Sequence, residues 1–134
     1  MIQKDYILRL AEEVAKVIAR MIGKNTDTAL AILDDAYQHY LKMDRAFLDS
    51  LPPDEFIHIL TEVHQLHVNH LELLGELLAE EGRLLYEAGR LVESKKQIQK
   101  ALLIFEYLDD HQGVYSMERV MKIGDLHRIL AVIN

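Results

Sequence analysis

Ile7, Leu10, Val14, Val17 and Met21 follow one another at spacings of three and four, which places them along one side of an α-helix. The same spacing returns in nearly every later stretch, and it constrains the fold more than any other feature of the chain. Asp5 with Arg9 and Glu12 with Lys16 are acid-before-base pairs four apart, which support this first helix on its other sides. Half the residues are hydrophobic, only 7% are aromatic, and Gly and Pro are scarce, a mixture that suits helices. An all-α protein is expected. Its 134 residues suffice for one domain that buries roughly two-thirds of its unfolded surface without a metal or disulfide.

Breaks in the pattern divide the chain. The first helix should stop at Gly23, and the turn "GKNTDT" offers Asn25 or Thr26 as the cap of a second helix. Ala29, Leu33, Ala36, Tyr37, Tyr40 and Leu41 lie on its inner side, so residues 3–43 read as a helical hairpin. In "DSLPPDEF", Pro52 and Pro53 suit a helix entrance and Asp54 and Glu55 favour the positive end of its dipole. A connecting helix is predicted over residues 53–64, with Phe56, Leu60 and Val63 inward. A rod continuing to Gly89 would be too long for a globular helix, so a corner is expected within "HQLHVNH", His64 to His70. There Asn69 with Glu72 is close to a capping box, and His67 is an alternative start.

From that corner a fourth helix brings Leu71, Leu74, Leu78 and Leu85 inward as far as Gly89. A fifth, "VESKKQIQKALLIFEYL", contributes Ile98, Ala101, Leu102, Phe105 and Leu108, so residues 69–109 form a second predicted hairpin. The last segment, 116–133, is capped by Ser116 and carries Val120, Ile123, His127 and Leu130 in helical phase. Gly124 leaves open whether it is one helix or two.

Residues 75 to 108, "GELLAEEGRLLYEAGRLVESKKQIQKALLIFEYL", resemble one tetratricopeptide unit, two antiparallel helices that approach closely where small residues meet. Leu78 and Gly82 stand at the large and small sites of the first helix, Gly89 at the turn, and Ile98 and Ala101 at the bulky and second small sites. Leu85 replaces the usual aromatic, Ser94 the usual alanine and Glu106 the closing proline. Ala29, Leu33 and Ala36 echo the pattern in the first hairpin, although Val17 stands at a small site and Gly23 falls one place early. The opening "MIQKDYILRL" with these hairpins also resembles a family of small bacterial proteins of uncharacterised function with tetratricopeptide-like helices. The resemblance implies five or six helices arranged as tetratricopeptide-like hairpins in a bacterial cytosolic protein, and no activity. It also implies that the first helix of the unit faces a ligand groove, making Glu76, Ala79, Arg83 and Tyr86 the candidate partner-binding residues. The alternative is an irregular bundle in which Gly75 and Gly82 are simply close-packing sites.

Composition narrows the chemistry. The absence of cysteine removes disulfides, thiolate zinc sites, iron–sulfur clusters and a Cys nucleophile, and fits a reducing cytoplasm. Lys4, Asp5 and Arg9 interrupt the place of a signal peptide, and no apolar run is long enough for a bilayer. A net charge of −7 disfavours nucleic acid and anionic membrane, whose binding draws on Lys and Arg. Arg90, Lys95, Lys96 and Lys100 form a local basic patch read as a solvated helix face. Ser50, Ser94 and Ser116 occur without a Gly-x-Ser-x-Gly elbow or a phosphate-cradling loop. Glu55 and His58 have the Glu-x-x-His spacing of di-iron bundles, but a second copy is absent.

The metal alternative is the trio His64, His67 and His70, with Glu62 or Glu72 as a carboxylate. On an unbroken helix His70 would lie roughly 120° from His64, so three ligands on one ion require the corner. The leading expectation is a non-enzymatic, cofactor-free module that binds another protein or a second copy of itself. With barely two hairpins, an uncapped apolar helix face would otherwise meet water.

Overall fold

The computed structural model describes residues 2–112 and 117–134, with side chains from residue 9 to 111 and from 117 onward. These residues form an all-helical protein of seven helices, two of them short. Ser116, the expected cap of the last segment, and the side chains of Asp5 and Ile7 lie outside the described part.

Helix α1 (Ile2–Met21) ends as the glycine predicts: Gly23 adopts φ 78°, a left-handed turn that costs a glycine little. Helix α2 (Thr26–Leu41) then starts at Asn25, whose side chain accepts from the Thr28 amide at 2.8 Å. Its inner face is the expected one, with Leu30 also buried and Tyr40 only partly so. Lys42, at φ 58°, ends it.

The next element has no counterpart in the sequence reading. Asp44 caps a six-residue helix, α3 (Arg45–Ser50), by accepting from the Phe47 amide at 2.8 Å. Beyond the prolines, α4 (Phe56–His58) passes directly into a π-helical stretch, Ile59–Val63, closed by the His64 amide donating to the Ile59 carbonyl at 3.0 Å. Phe56 and Leu60 are buried as expected, but Val63 is 64% exposed. Its assignment to the core is corrected, because the wider π turn takes residue 63 out of the four-then-three phase that an α-helix would have kept. His58 is likewise exposed.

The corner falls where length required it. Gln65 takes φ 53°, and α5 (Val68–Glu87) begins at His67, in extended conformation and without a side-chain cap. Asn69 is therefore inside the first turn, and the capping box assigned to it does not form. Helix α5 packs against α1, α2 and α6. Leu71, Leu73, Leu74, Leu77, Leu78 and Leu85 are all buried, as suits a helix apolar around most of its circumference.

After Gly89 (φ 79°) the chain reverses into α6 (Leu91–Gln112). A Cβ on Gly75 would lie 2.7 Å from Phe105 Cε1, and one on Gly82 would lie 2.5 Å from Ile98 Cγ1. The two contacts run in opposite chain directions, so the helices are antiparallel. Ser94 Oγ donates to the Gly82 carbonyl at 2.6 Å, fastening the close approach. Helix α7 (Met117–Ile133) packs on α6 and is one uninterrupted helix through Gly124. Its buried residues are Arg119 and Leu126, with Ile123, Ile129 and Leu130 packed partly behind them. Ile123 and Leu130 pack inward as expected, whereas Val120 and His127 are exposed and the neighbouring Arg119 and Leu126 take their places. No helix among the described residues is long and apolar enough to cross a membrane.

Candidate functional site

The strongest departure from an apolar core is a set of polar side chains between α2, α3, α5 and α6. Glu81 is 1% exposed; Tyr37 donates to its Oε1 at 2.9 Å and Arg45 to its Oε2 at 3.1 Å. Beside it Gln97 donates to Asp49 at 2.7 Å, and Lys100 Nζ to the Leu48 carbonyl at 2.6 Å. Burial raises the Glu81 carboxyl above its ordinary value, against the opposing pull of Arg45. It raises the Tyr37 phenol well above its own, helped by the nearby Glu81 charge, and lowers the Lys100 ammonium. Each polar group answers one from another element, so the cluster ties the short helix α3 to the body of the fold. It also dissolves the expected basic patch: Lys100 is buried, and Arg90 pairs with Glu93 at 2.7 Å.

The cluster was missed in the sequence although a signal exists. Glu81 stands three after Leu78 and four before Leu85, in phase with buried leucines, where a carboxylate needs partners. Those partners come from residues 36 and 44 positions earlier, a separation that spacing does not reach.

Of the four residues predicted to face a groove, Glu76 and Arg83 reach the protein's own last helix. Ala79 is fully buried and Tyr86 partly so. Glu76 pairs with Lys122, while Arg83 pairs with Glu80 at 2.8 Å and lies 3.8 Å from Asp125. Burial raises the Glu76 carboxyl, against the lowering effect of Lys122. One turn away, Arg119 bridges Glu72 at 2.7 Å and Asp109 at 2.9 Å. Thus a row of cations and one aspartate on α7 engages α5 and the end of α6.

The histidine trio does not converge. His64 sits edge-on to Phe47 with ring centroids 5.1 Å apart, whereas His67 and His70 face each other at 5.9 Å. Among the described residues no group of three or more His, Asp or Glu side chains is arranged to hold a metal ion.

The outer side of α7 has a different character. At 100° per residue, Met117, Val120, Met121, Gly124, Ala131 and Val132 share one arc. Met117, Val120, Met121 and Val132 are 58%, 42%, 64% and 69% exposed. His127 and Asp125 stand at its two edges, and Arg128, which lies on it, pairs with Asp125. A Cβ on Gly124 would meet nothing within 4 Å. Comparison of the chain with protein-family models, with curated proteins and with solved structures finds no match in any of the three.

Proposed function

We propose that the protein is a non-enzymatic helical interaction module, built of tetratricopeptide-like hairpins, that binds a protein chain through the outer face of α7. One observation carries this reading: α7 buries Leu126 against the fold while leaving Met117, Met121 and Val132 more than half exposed on its other side. A helix apolar on both sides belongs between two surfaces, and among the described residues none covers Met121 or Val132, which stay 64% and 69% exposed. The pairs of Arg119 and Lys122 with Glu72, Asp109 and Glu76 hold that face in a fixed orientation. In this reading Glu76 and Arg83 serve partner binding by seating α7. The hairpin assignment is supported by the close crossing at Gly82, Ser94 and Ile98, positions at which such a unit needs small or interlocking side chains.

A photoreactive residue placed at Met121 or Val132, and in parallel at the exposed Glu106 of α6, tests the proposal in the producing cells. Protein adducts from the two α7 positions and none from position 106 are expected. Adducts from no position, or equally from all three, would defeat it.

A further inference from the structure

We infer that residues 42–53 form a strap that opens as one unit, uncovering a polar floor of Tyr37, Glu81, Gln97 and Lys100 while the long helices stay folded. The segment has a hinge at each end. Lys42 closes α2 in the left-handed region, at φ 58°, where the chain leaves the helical path. Pro52 and Pro53 have no backbone N–H to leave unpaired when the far end swings. Between the hinges α3 has six residues, too few to hold a helix by itself. What the strap touches keeps it closed.

Four hydrogen bonds make that contact. The Arg45 amide donates to Asp34 at 2.8 Å and its guanidinium to Glu81; Gln97 donates to Asp49, and Lys100 to the Leu48 carbonyl. Leu48 and Leu51 are the buried apolar anchors of the strap, and Phe47 rests edge-on to His64. Against them stand Glu81, Gln97 and Lys100, buried as well, which lose hydration by being covered. Lifting the strap exposes two leucines and returns water to a carboxylate, an amide and an ammonium. The closed fit is also incomplete on both sides: Arg45 Nε on the strap and Gln97 Oε1 on the floor are buried without a hydrogen-bond partner. Opening gives both to water, and leaving them unsatisfied weakens the closed form.

Amide hydrogen exchange of the full chain, followed by NMR in low urea, reads the opening. The Leu48 and Leu51 amides, bonded to the Asp44 and Leu48 carbonyls, should exchange about a hundredfold faster than those of α5 and α6. They should share one urea dependence, as a unit that opens below global unfolding does. Lys100→Met takes a tether from the floor and a charge from the interior. It should speed both strap amides about tenfold, the effect of one hydrogen bond to a charged group, without speeding α5 or α6. Asp49→Ala, a change at an exposed position of the strap, should act in the same direction. Strap amides that exchange no faster than α5, or that ignore urea as frayed ends do, overturn the inference. So does protection that neither variant reduces, or a loss spread equally over α5 and α6.

Discussion

Gly75, Gly82 and Gly124 all sit inside helices, and the consequences of adding one methyl group differ sharply among them. At Gly82 the new carbon would lie 2.5 Å from Ile98 Cγ1, and overpacking of about 1–3 kcal/mol outweighs the ~1 kcal/mol of helix propensity gained. At Gly124 nothing lies within 4 Å, so in dilute, monomeric protein only the gain remains. Gly82→Ala is therefore expected to lower the urea midpoint and Gly124→Ala to raise it; a rise for both would remove the close crossing from the account. The seven-residue spacing of Gly75 and Gly82 made that crossing legible in the sequence. Glu81 was not legible, because its meaning depends on Tyr37 and Arg45. Its carboxyl is raised by burial in the fold against the pull of Arg45, so between the unfolded and the folded value the folded state keeps a proton that the unfolded chain has lost, and above that interval Glu81 is the ionised partner of Arg45. The contribution of Glu81 to stability is thus full below the unfolded value and is lost as pH rises through the raised folded one. From the ordinary carboxylate range upward, the stability of Glu81→Gln should improve relative to the parent as pH rises through the folded value. A constant difference across the range would contradict the shift.

Among the elements, the long helices and their stops follow from periodicity, glycines and the Asn25 cap, whereas the short ones between residues 44 and 67 do not. Helix α3 has six residues, too few for a period to be read, and it depends on long-range partners. The π stretch Ile59–Val63 depends on backbone bonding, which the side-chain pattern does not encode, and it displaced Val63. The inner face of α7 was misread at Val120 and His127, while Ile123 and Leu130 pack inward, because both of its faces offer apolar residues in helical phase. The attachment of α3 is open to test. Arg45→Met leaves the buried Glu81 with the Tyr37 hydroxyl alone, and breaking such a pair costs about 3–5 kcal/mol. The lower end is expected because the Arg45 side chain is 24% exposed. The double variant Arg45→Met, Glu81→Gln should recover most of the loss in urea unfolding, since no unpaired charge remains. A double variant as unstable as the single one would mean that Arg45 acts by packing alone.

For the whole molecule, the sequence led to the expectation of an interaction protein with an uncapped apolar face and with its contact residues on α5. In the fold α7 meets that side of α5 through Lys122, Arg119 and Asp125, and in the proposed function the docking surface moves outward by one helix. That transfer could not be read from spacing, since it depends on where α7 comes to lie. The methionines report on it without perturbing the chain. Met117 and Met121 lie on the outer arc, while Met43 is buried at 7% exposure. Methionine-methyl NMR of the unmodified protein, in the producing cells and after purification, is the most direct measurement. The Met117 and Met121 signals should differ between the two while Met43 stays fixed; if all three are unchanged, the outer face of α7 is not where this protein meets a partner.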